Sequence, residues 1–241
     1  MTELDFLDNY EPADFERPSV TVDLVLLGLH RGKPTVLLVK RDQHPFADKW
    51  ALPGGFVRID EAIDDAAKRI LQDKAGIQSA HLEQLYTFGA VKRDPRMRII
   101  SVAYLGLLAE DAFAGAQKAT PSLLAAGIDV PWSGEKGGSV EVRSPDCKPI
   151  SLAFDHADIL AMAILRLRGK LDYSDVGFAW LPEHFTLRQL QDVHEAILGV
   201  RLNKPAFRRR MLDKGWIEGT GERETGASFR PAELYRFKPQ N

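Results

Sequence analysis

Apolar residues along the chain fall into short runs of two kinds. In residues 20–29 and 35–40 they are β-branched or leucine-rich and nearly continuous, with Arg31-Gly32-Lys33-Pro34 between them, which predicts a hairpin. Residues 1–19, ahead of it, read as an irregular arm ended by Arg17-Pro18. After a polar, turn-like stretch at 41–49 the period changes. Pro53-Gly54-Gly55 predicts a tight turn, and Ile63, Ala67, Ile70 and Leu71 recur at helical spacing between an acidic start at Asp60-Glu61 and a stop at Gly76. Residues 82–88 and 98–108 predict two more strands, and strands on both sides of one helix point to an α/β fold with a mixed sheet packed between helices.

Residues 109–149 are the least legible: small residues, then Trp132-Ser133-Gly134-Glu135-Lys136-Gly137-Gly138, then a strand-like run at 139–143. A loop this long is a lid, an interaction element or a partly disordered insertion, and the pattern leaves all three open. Asp155 is placed to N-cap a helix whose stripe is Ile159, Leu160, Ala163, Ile164 and Leu167, with Gly169 at its end; residues 170–182 lead to the tail. There Thr186 and Gln189 match a capping box, Phe185 and Leu190 a hydrophobic staple, and Leu187, Leu190, Val193, Ile197 and Leu198 keep helical period until Gly199. A second helix starts at Asn203 with Pro205 in its first turn and runs toward Gly215. Strand-like Trp216-Ile217-Glu218 and residues 233–237 flank a polar stretch at 220–231. Two helices and a β-hairpin in this order describe a winged helix-turn-helix.

At 241 residues the chain is long enough for two domains. The division expected is 1–150 for the first domain with an insertion at 109–149, 151–181 for a linker helix region, and 182–241 for the winged helix. The single cysteine, Cys147, excludes an intrachain disulfide and a cysteine-based zinc site. The opening MTELDFLDNYEP is acidic and lacks a basic-then-apolar signal, and no apolar run reaches the roughly 18–20 residues of a membrane span; a cytoplasmic location is expected, with no membrane partner. The overall charge of −2 hides an asymmetry: from Pro182 onward there are 11 Lys and Arg against 8 Asp and Glu, so a basic tail follows an acidic body.

Candidate chemistry concentrates in three places. From Gly55 the chain resembles the Nudix box, with Gly55, Glu61, Arg69, Leu71, Gly76 and Ile77 in register. In that family the glutamates of an Arg-Glu-apolar-x-Glu-Glu core hold divalent metal; here their places read Ile70, Asp73 and Lys74, a poor cage for a hard cation that wants several oxygen ligands. No metal and no catalytic residue is expected, and Glu61, Asp65, Arg69 and Asp73, four apart, are explained by surface ion pairing as well as by a residual metal site. The resemblance implies a Nudix α/β/α sandwich. The second place is Arg93-Asp94-Pro95-Arg96, which leads into the next strand much as in Nudix pyrophosphatases that act on ADP-ribose. Two guanidiniums on a short loop suit bidentate capture of phosphate, or form a plain charged turn. Together with Arg41, Gly54, Gly55 and Glu61 they make the expected ligand site; Trp50 either stacks on a nucleobase or supports the turn from below. The third is Arg208-Arg209-Arg210 in the second tail helix, joined by Lys204, Arg223 and Arg230: with Phe207 and Met211 inward, about 100° per residue puts Arg209 opposite Phe207, suited to a DNA groove.

The order of parts, with Phe185-Thr186-Leu187, Leu190-Gln191, Phe207-Arg208-Arg209, Arg230-Pro231-Ala232, Leu234-Tyr235-Arg236-Phe237 and Leu152-Ala153-Phe154-Asp155-His156, resembles the Nudix-related transcriptional regulators of NAD metabolism. That resemblance implies a dimeric repressor with a palindromic double-stranded operator, no required cofactor, and ADP-ribose or a related nucleotide as effector. An active ADP-ribose pyrophosphatase and a non-catalytic interaction module remain the alternatives.

Overall fold

The computed structural model describes residues 2–30, 32–225 and 231–239. The chain opens not as an irregular arm but with a short helix, α1 (Glu3–Asp8), closed by a capping box between Thr2 and Asp5 and followed by a single 3-10 turn at Pro12–Asp14. Then come β1 (Ser19–His30), β2 (Lys33–Lys40), β3 (Trp50–Ala51), β4 (Gly54–Phe56), α2 (Ile63–Ala75), β5 (Leu82–Phe88) and β6 (Ile99–Leu107). The hairpin, the box helix and the two following strands fall where the apolar pattern puts them. The expected Pro-Gly-Gly turn is instead the start of a strand, since β4 pairs antiparallel with β1. A Cβ on Gly54 would lie 2.3 Å from the Asp23 carboxylate, so only glycine lets the two strands approach. Ile63, counted in the helix stripe, is half exposed, and Ala66 and Ala75 take its place in the buried face that ends at left-handed Gly76.

The segment expected to be an insertion is part of the sheet. It forms α3 (Glu110–Ala119), β7 (Leu123–Asp129), β8 (Glu141–Arg143) and β9 (Pro149–Ile150), and the sheet order is β5-β6-β1-β2-β7-β8-β9, with β1 and β6 parallel. Small residues disguised it: β7 reads Leu-Leu-Ala-Ala-Gly-Ile-Asp, with weak alternation, yet pairs along five residues of β2. Because helices cover both faces, β1 is buried without a break from Thr21 to Gly28. Leu24 and Leu26 face α2 and α3, while Val25 and Leu27 face the other side.

That other side is closed by α4 (His156–Lys170). Expected to be a linker, it is a layer of the sandwich: Ile159, Leu160, Ala163, Ile164 and Leu167 are all buried against the sheet. Each Leu or Ile so covered is worth about 1.5–3 kcal/mol. Beyond it a 3-10 turn at Asp175–Phe178 leads to buried Trp180, whose indole donates to the Leu27 carbonyl and ties this segment to β1. The tail is β10 (Phe185–Thr186), α5 (Leu187–Leu198), α6 (Lys204–Asp213), β11 (Ile217–Arg223) and β12 (Glu233–Phe237). Both bonds of the Thr186–Gln189 capping box form, and Asn203 caps α6 through the Ala206 amide. The three strands order as β10-β12-β11 around a core of Phe185, Leu190, Phe207, Met211, Ile217 and Tyr235. The first wing strand runs five residues past Glu218, deep into the stretch expected to be a loop.

Candidate functional site

A cleft of about 690 Å³ opens where β1, β4, the loop before β6 and the entry to α4 meet. Its floor is charged. Asp23 on β1 accepts from the Ser101 hydroxyl at 2.5 Å and sits 3.5 Å from the Arg93 guanidinium. Arg93 is not the exposed phosphate hook expected from its loop: its side chain is 4% exposed and donates to both oxygens of Asp155, at 2.6 and 2.8 Å. Burial works against its charge, but the Asp155 and Asp23 carboxylates outweigh burial and raise its pKa above the ordinary value. Next to it, buried His156 accepts the Leu52 amide at Nδ1, and burial keeps its pKa low.

Arg41 and Arg96 are the guanidiniums of the cleft that remain accessible, beside the exposed ammonium groups of Lys40 and Lys74. Both guanidiniums lie over the Phe154 ring, at 4.8 and 5.8 Å, and Arg96 also lies 5.6 Å from Phe56. Arg96 is held by a bidentate pair with Asp94 at 3.0 and 2.8 Å, and the Arg41 Nε donates to the Pro45 carbonyl. Burial and the neighbouring Arg96 both lower the Arg41 pKa. Two cations that disfavour each other, set over aromatic rings, have the chemistry to attract an anion. Phe154 and Phe56 were not expected to line the cleft, nor Phe46 to pack against Phe154 from outside it; Phe154 stands in the Leu152–His156 stretch, and its left-handed φ of 52° is invisible in the sequence. Gly54 and Gly55 line the cleft as expected. Trp50 does not: half buried, it packs on the core shared by the sheet and α4.

The residues of the box do not fit a divalent metal. Ile70, 1% exposed, fills the space beside Gly55, where an added Cβ would meet it at 3.4 Å. Both Glu61 oxygens are taken by Arg69, at 2.6 and 2.8 Å, and those hydrogen bonds hold the Glu61 pKa down to about 2. Arg69 also lies 3.9 Å from Asp73, so ion pairing accounts for these charges, and Lys74 brings an ammonium to the cleft wall.

In the tail, α6 presents its N-terminal half to solvent. Phe207 and Met211 are buried, and Lys204, Arg208 and Arg209 are exposed. Arg208 reaches the Tyr235 hydroxyl at 3.5 Å, which itself donates to Glu233. Arg210, expected to flank the groove-facing side, turns back: it lies 3.4 Å from Asp172, over the Phe207 ring. Lys204, Arg208 and Arg223 line one groove between α5, α6 and the wing, joined by Arg188, which sequence reasoning passed over. Arg230 lies outside the described residues. The α5–α6 turn is fixed by Glu195, whose carboxylate accepts from the Leu202 amide, Gln191 and Arg201 and titrates at about 2.

Behind α6, the buried His194 packs on Phe207 with its Nδ1 unpartnered. Burial, then Arg210 and Lys214, lower its pKa to about 4, with Asp172 opposing. Both folded and unfolded states are neutral there above pH about 6.5, so stability is full and flat; below it the unfolded chain binds the proton first. Stability should therefore fall by up to about 3 kcal/mol between pH 6.5 and 4. Urea unfolding across that window should show this slope, and a His194→Leu variant that keeps the full slope would assign it elsewhere.

The comparisons agree with this anatomy. Residues 17–124 match the model of the NUDIX domain, and residues 177–237 match that of the NrtR DNA-binding winged helix domain. The chain is 36% identical over 238 residues to the ADPR responsive transcriptional repressor NtrR of Acinetobacter baylyi, covering 98% of this chain and 88% of that one. It superposes on Shewanella oneidensis NrtR, solved in complex with a 27mer DNA, with a TM-score of 0.73, 33% identity and coverage of 91% and 93%. The NUDIX domain of the same protein, solved with ADP ribose, matches at a TM-score of 0.50 with 31% identity, covering 69% of this chain and 99% of that one. With its mixed α/β Nudix fold joined to a winged helix over nearly its whole length, this chain belongs to the NrtR family of Nudix-related transcriptional repressors.

Proposed function

We propose that the chain is an ADP-ribose-responsive repressor of genes of NAD metabolism. It binds a palindromic operator as a homodimer through α6 and the wing, in the cytoplasm, and senses ADP-ribose or a close nucleotide in the Arg41–Arg96 cleft without hydrolysing it. One observation carries the reading: the cleft has the cations and rings to hold a pyrophosphate-linked nucleotide, while Ile70 and the Glu61–Arg69 pair occupy the places from which metal would be held to cleave it. The one relative solved both with DNA and, as its NUDIX domain, with ADP ribose supports the two halves of the proposal. Mobility shift on DNA from upstream of candidate operons, with and without ADP-ribose, tests it. An ADP-ribose-independent shift, or none, would refute it.

Hydrolysis follows the same logic. Without a metal clamp there is neither charge neutralisation nor an activated water. Incubation with Mg²⁺ and ADP-ribose should give AMP at far below the ~1 s⁻¹ of an ordinary enzyme; turnover at that rate would make the chain a pyrophosphatase.

A further inference from the structure

Asp155 occupies the N-cap position of α4 but makes no cap hydrogen bond, whereas Thr186 and Asn203 both cap the helices that follow them. Its carboxylate is spent on Arg93, 62 residues away in sequence. Arg93 in turn forms part of the cleft wall. The residues on either side of Asp155 are wired to the same cleft: Phe154 lies beneath Arg41 and Arg96 with a left-handed backbone, and His156 holds the Leu52 amide at 2.9 Å. Three successive side chains thus tie the start of α4 to the ligand site.

The far end of α4 is tied to the tail. Arg168, 3% exposed, donates to the Ile197 carbonyl at the end of α5 at 2.8 Å and to the Trp132 carbonyl at 2.7 Å, with its guanidinium 4.3 Å from the Trp132 ring centroid. At about 1.5 Å per residue the helix between is a rod roughly 20 Å long.

We propose that Asp155 is a two-position latch. In the arrangement seen here it holds Arg93; when the phosphate of a nucleotide claims Arg93, the carboxylate turns to cap its own helix, and α4 carries the change to α5 through Arg168. The proposal rests on the nucleotide-sensing reading above and names how that site is regulated. Both positions satisfy the carboxylate, one with a guanidinium and the other with the N–H groups and positive end of the helix. Exchange therefore leaves no buried charge stranded. A ligand shifts such a pair only through its different affinity for the two arrangements, and contact with Arg93 supplies the difference.

The test uses the full chain, ADP-ribose as probe, and a duplex selected by the wild-type protein from a random library. Asparagine caps as well as aspartate but holds Arg93 without charge. Asp155→Asn should therefore bind ADP-ribose several-fold more tightly, bind DNA without ADP-ribose as the wild type does with it, and show a coupling factor near one. Arg168→Met, which keeps a long side chain over Trp132, should leave ADP-ribose affinity unchanged and also bring coupling near one. In the wild type, ADP-ribose should slow hydrogen exchange of the first-turn amides of α4, a readout that needs neither variant to fold. Wild-type ADP-ribose affinity and coupling in Asp155→Asn, or unchanged exchange in the first turn, would overturn the latch alone. Absence of any coupling in the wild type would overturn the sensing reading beneath it.

Discussion

Arg209→Ala should erase the preference for operator over unrelated DNA while leaving ADP-ribose affinity unchanged. Of the three consecutive arginines on α6, Arg208 is engaged with Tyr235 and Arg210 with Asp172, and only Arg209 is exposed with no hydrogen-bond or ion-pair partner among the described residues. A bidentate contact from arginine to guanine is worth about 1–3 kcal/mol of discrimination. In the homodimer proposed above the contact is made twice, on half-sites about one helical turn apart, so the expected loss is about 2–6 kcal/mol, roughly 30-fold to 10⁴-fold in specificity. Lys204, Arg208 and Arg223 line a groove suited to backbone phosphate, so salt-sensitive binding without sequence preference should survive. Competition mobility shift gives the ratio directly. An unchanged ratio in Arg209→Ala, or an equal loss in Arg210→Ala, would move the reading face elsewhere on the helix.

The second large effect belongs to the cleft. Replacing both Arg41 and Arg96 by alanine should weaken ADP-ribose binding by roughly a hundredfold or more, with operator binding retained when ADP-ribose is left out. Charge-assisted hydrogen bonds contribute about 1.5–3 kcal/mol each. The lower end applies, because Arg96 must share its bidentate Asp94 contact and Arg41 its hold on the Pro45 carbonyl. Two such contacts at about 1.5 kcal/mol give the factor stated. Titration calorimetry on the double variant checks it, and undiminished affinity would place the nucleotide in another cavity.

What could be read in advance follows from where the information lies. Period and punctuation are local, so the hairpin, the box helix, the α4 stripe and the Thr186 and Asn203 caps were legible from residues a few positions apart. Within 109–149 only the strand at 139–143 was legible, as β8; β7 was not, because it holds its place by pairing with β2, some ninety positions earlier, rather than by its own alternation. Site residues divide the same way. A loop carrying Arg93 and Arg96 announces cations, but which of them is free depends on Asp155 and Asp94. Residue spacing alone places Arg209 on the outside of α6, whereas Asp172, 38 positions before Arg210, draws that arginine away. Phe154 entered the cleft unannounced, since no local pattern marks a non-glycine residue at positive φ.

The helix α5 belongs to two hydrophobic cores at once: Leu190 packs with Phe207 and Tyr235, while Val193 and Ile197 pack with α4 and the sheet. The boundary between sensor and reader therefore runs through the middle of a helix and is no seam along which the parts separate. Cut free at about residue 182, the tail would lay bare Val193 and Ile197 and tend to self-associate, and the remaining body would lose the cover over α4. In melting, the two halves should therefore share a single cooperative transition.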